Sequence, residues 1–326
     1  MATLRETRDR IRSVNSTKKI TKAQELIATS RITKAQQRVE ATQPYAAELK
    51  DVMSRLAAAS SLDHPMLRER DNAKVAAVLV VTSDRGMCGG YNNNVLKRAH
   101  ELEEMLIQTG HDVVRYVTGK KGVGYLDFRE LEVAGSWTGF SETPTWDGTH
   151  DVRHHLIDGF LAGSEDEAKW RDGVNAPEGQ PIRGFDQVHV VYTQFESMLS
   201  QVPRVQQLLP IEIAYEDDEF NPPGMKESTG EGDISSDMDF EPDPDTLLDA
   251  LLPQYFSRTL YQIYLESSAS ELAARRNAMK SATDNATDLV QDLTRIANQA
   301  RQAQITQEIT EIISGAGALS DSGESD

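Results

Sequence analysis

The two ends of the chain constrain its fold most. From Thr3 to Ala59 there is no glycine and a single proline, Pro44. Such a stretch predicts one helix, about 80 Å long at about 1.5 Å per residue. Its second half carries a heptad of Ala28, Ile32, Ala35, Val39, Thr42, Ala46, Leu49, Met53 and Leu56. Extended backwards, the phase meets Glu25, Thr21 and Lys18, so the apolar seam is expected to stop near residue 26. Pro44 is expected to remove one helical hydrogen bond and bend the helix. The other end mirrors this. Leu247 to Ser314 has no glycine and only Pro253. There Leu272, Arg275, Met279, Ala282, Ala286, Leu289, Leu293, Ile296, Ala300 and Ala303 alternate by three and four. Ile305, Ile309 and Ile312 then start a new stripe, and Gly315 is read as the stop.

A sustained 3.5-residue repeat makes a left-handed coiled coil. Matching repeats at both ends of one chain predict an antiparallel two-helix coiled coil, residues 1–60 with 247–316. The alternative is two helices lying on a globular core. Only 38% of the residues are hydrophobic and 6% aromatic, which suits a thin rod with little core to fill.

Between the helices, residues 74–215 read as a small doubly wound α/β domain. Val75–Ser83 is a continuous β-branched run, expected to be a central strand buried on both faces. Asn92–Gln108 and Val152–Leu161 have helical spacing. Val113–Thr118, Phe185–Tyr192 and Val205–Ile213 read as further strands. GKKG at 119–122 reads as a turn with two solvated lysines.

The formal charge of −18 is uneven. Residues 1–58 sum to +6, whereas 216–249 sum to −12. Residues 216–246, rich in acids, proline and glycine, read as a disordered linker. Residues 164–182 read as a surface insertion and 317–326 as a disordered tail. Nucleic acid is disfavoured as the main partner. No run of about 18 apolar residues suggests a membrane span, and the start lacks a signal-peptide pattern. A single cysteine, Cys88, excludes a disulfide within the chain.

No motif carries convincing chemistry. SDRGMCGGYN (83–92) joins a strand to a helix, but it lacks the lysine of a phosphate loop and the GxGxxG spacing. Gly86, Gly89 and Gly90 are read as turn and close-packing residues. Cys88 reads as a buried thiol rather than a nucleophile. His150 and His154 have i, i+4 spacing but no evident third ligand. The acids of 237–245 are interrupted by prolines and do not make a calcium loop. No cofactor and no metal are expected. The basic stretch of Arg5, Arg8, Arg10, Arg12, Lys18, Lys19 and Lys22 has no interleaved aromatics. It is read as facing an acidic protein partner. A free coiled-coil adaptor binding nucleic acid, and a small α/β nucleotide enzyme, are the competing readings.

Four ordered blocks resemble the gamma subunit of the F-type ATP synthase, and the extra loop 164–182 is similar to one in actinobacterial-type gamma chains. The blocks are TKKITKAQELIATSR (17–31), SDRGMCGGYN (83–92), RRNAMKSATDNA (275–286) and ITQEITEIISGAGA (305–318). The resemblance implies a central-stalk rotor with no catalytic site of its own. The rotor would couple turning of a proton-driven c ring to ATP synthesis at the beta subunits. Its implied partners are the alpha and beta subunits of the ring, the epsilon subunit and the c ring. Its implied place is the cytoplasmic face of the bacterial membrane, held there only through the complex. By block, Arg301, Gln302, Thr306 and Glu308 become contact candidates, with Lys18, Lys19, Lys22 and Arg275. Arg8 and Arg12 are candidates on charge alone. The insertion 164–182 is implied to restrain ATP hydrolysis.

Overall fold

The computed structural model describes residues 4–59, 64–70, 73–168, 182–211 and 243–321. They form two compact units, one of 31–274 and one of 1–30 with 275–326. Two long helices, α1 (Leu4–Ala59) and α5 (Pro244–Asp321), contribute to both.

The unit of 31–274 is built on a five-stranded sheet. Its strands are β1 (Val75–Val81), β2 (Asp112–Thr118), β3 (Gly135–Trp137), β6 (Gln187–Phe195) and β7 (Gln201–Leu209). Their order is β3-β2-β1-β6-β7. The first four are parallel, and β7 is an antiparallel edge. Every residue of β1 is buried, as a strand covered on both faces requires. Ala76, Val78 and Val80 face α2 (Tyr91–Gln108) and α3 (Lys120–Phe128), packing with Val95, Ala99, Leu102 and Leu126. Ala77, Leu79 and Val81 face the opposite layer. There Leu49, Met53 and Leu56 of α1 join α4 (His150–Ala162) and Leu248, Leu252 and Phe256 of α5. Each such leucine contributes about 1.5–3 kcal/mol by leaving water.

Several expectations shift. The strand expected at Phe185–Tyr192 is Gln187–Phe195, because Asp186 is committed elsewhere. Its carboxylate accepts from the amides of Lys74 (2.8 Å), Val75 (3.1 Å) and Ser164 (3.1 Å) and from Arg70 (2.9 Å). The strand expected at Val205–Ile213 starts earlier, at Gln201. It carries Pro203, which an edge strand tolerates. GKKG is not a free turn. Gly119 (φ 93°) caps α3, which starts at Lys120. A Cβ on Gly122 would stand 2.5 Å from Val117 Cγ2, so this glycine lets helix and strand approach. The ends of the insertion pair as a short hairpin, β4 (Glu167–Ala168) with β5 (Ile182–Arg183). Residues 169–181 and 212–242, most of the insertion and of the expected linker, lie outside the described residues.

In the unit of 1–30 and 275–326, α1 and α5 pair. The apolar seam stops near residue 26, as expected, and the buried face goes on in polar form. Thr7, Thr21 and Glu25 continue it as buried polar residues. Thr21 Oγ1 lies 2.7 Å from Thr283 Oγ1. The seam of α5 is also offset from the expected one. Met279, Thr283, Ala286, Leu293 and Ala297 are buried, whereas Leu289 and Ile296 are 39% and 46% exposed. The spacing of three and four places Ala282, Leu289 and Ile296 inside. The hydroxyl pair puts Thr283 there instead. Helix α5 also passes Gly315 and continues to Asp321. Two glycines among alanines cost about 1 kcal/mol each without ending a helix.

Candidate partner-contact surfaces

The outer face of the helical unit carries most of the expected contact residues. Arg8, Arg12, Lys19, Lys22, Arg301, Gln302, Thr306 and Glu308 are exposed and Lys18 is partly so. Arg12 pairs with Asp9, and Lys22 with Glu25 at 3.0 Å. Thr306 donates to Gln302 O at 3.0 Å, and Glu308 accepts from Gln304 at 3.1 Å. Arg275 departs from the expectation. It is 5% exposed, so it faces inward and not toward a partner surface. Its neighbour Met279 shares the seam one turn on, which explains the direction.

Beyond Ala300 the character of α5 changes. Every side chain from Arg301 to Ser314 is exposed. Among them Ile305, Ile309, Ile312 and Ile313 are exposed large hydrophobics, Ile312 at 71%. Ile20, Leu26 and Ile27 of α1 are exposed in the same unit. Contiguous exposed apolar side chains are a common feature of docking surfaces.

The unit of 31–274 has a second surface that charge counting along the chain did not single out. Arg31, Lys34 and Arg38 share a face of α1 by i, i+3, i+7 spacing. With Arg85 after β1 and Lys120 after β2 they line a cleft of about 600 Å³. Its two carboxylates, Asp84 and Glu142, are already committed. Asp84 accepts from the amides of Lys120 (3.1 Å), Gly139 (2.9 Å) and Ser141 (3.0 Å). Glu142 pairs with Arg31 and with Arg85. The cleft therefore presents net positive charge on loops that Asp84 stitches together. The helical spacing was legible in the sequence. The approach of three strand-end loops was not.

The glycine-rich turn behaves only partly as expected. Gly89 has φ 59°, a left-handed conformation that suits glycine. Gly90 caps α2 at φ −81°, and a Cβ on Gly86 would stand 3.4 Å from Lys121 Cε, so neither requires glycine. Cys88 is buried, its sulfur 3.3 Å from Asn92 Nδ2. The His150 and His154 ring centroids lie 4.2 Å apart with the planes tilted by 39°, and His150 bonds Asp151 at 3.1 Å. Among the described residues no group of three His, Cys, Asp or Glu could hold a metal. No described helix is long and apolar enough to cross a membrane.

A family model described as ATP synthase matches residues 3–319. The chain is 70% identical to the ATP synthase gamma chain of Corynebacterium glutamicum, over the full length of both. It is 55% identical to that of Rhodococcus opacus, again over both full lengths. Among solved structures, a chain of the Euglena gracilis mitochondrial ATP synthase OSCP/F1/c-ring assembly shares the fold. Its TM-score is 0.63 at 17% identity, covering 99% of this chain and 96% of that one. A chain of the Tetrahymena thermophila mitochondrial central stalk/c-ring structure gives 0.54 at 20% identity, covering 81% and 99%. Long paired end helices, a central mixed sheet and full-length identity lead to one conclusion: the chain belongs to the ATP synthase gamma chain family.

Proposed function

We propose that this chain is the rotating shaft and base of a bacterial ATP synthase, and that it holds no catalytic site itself. The observation that carries this is the bared isoleucine stripe of α5 beyond Ala300. A helix with exposed apolar side chains needs a sleeve, and a shaft inside a ring has one. The sleeve is assigned to the alternating alpha and beta subunits. The basic cleft of Arg31, Lys34, Arg38, Arg85 and Lys120 takes an acidic surface of the same ring. The α/β unit sits on the c ring beside the epsilon subunit. The chain meets the membrane only through them, at the cytoplasmic face. The threonine-lined seam keeps the two helices thin and in register. Arg8, Arg12, Lys18, Lys19, Lys22, Arg301, Gln302, Thr306 and Glu308 are outward polar contacts. The insertion 164–182 acts as a restraint on ATP hydrolysis.

The test is isolation of the tagged full chain from native membranes. Alpha and beta subunits should copurify, with one copy of this chain per ring. Recovery of the chain without them, under conditions that keep the complex intact, overturns the proposal.

A further inference from the structure

A small cavity of about 10 Å³ lies where the ends of β2 and β3 meet α5, wholly within the unit of 31–274. That is the space one water centre needs. Four of its lining residues hold a buried polar atom with no hydrogen-bond partner among the described residues: Thr118 Oγ1, Trp137 Nε1, Tyr264 OH and Ser267 Oγ. Each residue is more than nine-tenths buried. Thr118 and Tyr264 are near enough for the threonine to ease the upward pull of burial on the phenol, yet neither atom completes a hydrogen bond. An unmet buried group of this kind costs about 1–3 kcal/mol. Four around one cavity are not a tolerable accident.

We propose that this cavity is a binding site for a single resident water molecule, which bridges the sheet to α5. The donor set selects the ligand. Trp137 Nε1 can only donate, so the occupant must accept, which excludes a cation. Glu271 and Asp84 also line the wall, which disfavours an anion, and the volume excludes anything larger than water. Water accepts from the indole and exchanges bonds with the three hydroxyls. The walls are closely packed. A Cβ on Gly119 would stand 2.2 Å from Thr82 O, and the Thr82 hydroxyl is spent on Thr118 O at 2.7 Å. Tyr91 OH, beside the site, is already bonded to Ser267 O at 3.2 Å. This inference does not depend on the shaft reading.

A crystal map of the full chain that shows ordered waters tests it. The expected result is one peak within hydrogen-bond reach of at least three of the four atoms. In solution, the Trp137 indole proton should show a direct cross-relaxation signal to a long-lived water. Thr118→Val with Tyr264→Phe should lose both peak and signal. An empty cavity with the four side chains in place overturns the proposal. So does rotation of those side chains to bond one another, or a peak that persists in the double variant. If the double variant fails to fold, the map and the indole signal of the unaltered chain decide.

Discussion

Replacing Thr283 by valine tests the polar seam most sharply. The Thr21 and Thr283 hydroxyls are 2.7 Å apart in a buried setting. Thr21 also reaches Lys18 O at 3.0 Å, and Thr283 reaches Met279 O at 2.8 Å. Each hydroxyl has one proton, so one threonine donates across the seam while the other bonds its own helix. After Thr283→Val, Thr21 still has Lys18 O, so no orphan is left. The single change therefore costs only the cross-seam bond, about 1 kcal/mol. Thr21→Val costs the same by the same reasoning. The double variant loses that bond once and gains two buried methyl groups, so it should be no worse than either single. A double-mutant cycle should return a coupling of about 1 kcal/mol. Hydrogen exchange of the full chain reads this locally. Amides near 21 and 283 should exchange about fivefold faster in each single variant, and no faster than that in the double. Additive effects, about thirtyfold in the double, would refute the pairing.

Other substitutions probe different layers. Ala297→Leu should overpack the seam, where Ala297 is 8% exposed. It should cost about 1–3 kcal/mol, read as faster exchange near 297, whereas Ala303→Leu at an exposed position should change little. Ile309→Asp should leave the isolated chain's melt within about 0.5 kcal/mol and yet weaken recovery of ring subunits. Gly159→Ala would place a Cβ 2.4 Å from the Phe185 ring and should cost about 1–3 kcal/mol in urea unfolding. His189 is held neutral by burial and by nearby His111, with its pKa lowered to about 4. The unfolded histidine titrates near 6.5, so the unfolded state binds the extra proton between those values. Stability should be full above about pH 6.5 and fall by about 3 kcal/mol on acidification to about pH 4. His189→Gln should remove that part of the slope in urea melts at stepped pH.

The parts of the fold that repeat were legible in the sequence. The seven buried residues of β1 and the heptad from Ala28 to Leu56 announce themselves by hydrophobic period. The offset in α5 was not legible, because Leu289 and Ile296 look like core while Thr283 does not. Only its partner Thr21, 262 residues away, decides the matter. β3 is three residues long and owes its existence to β2 beside it, so no local period could reveal it. Helix α3 was hidden by GKKG, whose glycines serve a cap and a close approach. Of the contact surfaces, Ile305, Ile309 and Ile312 stood out as a stripe. The basic cleft needed Arg85 and Lys120 to be brought beside α1, which is a property of the topology alone.

The central claim is that this chain turns inside a stationary ring. A bead attached at Lys97→Cys, an exposed position of α2 whose lysine side chain is 80% accessible, would report it directly. In a complex immobilised through the ring, ATP should drive sustained rotation of the bead in one direction. A bead that stays still while the complex hydrolyses ATP at its full rate would contradict the account.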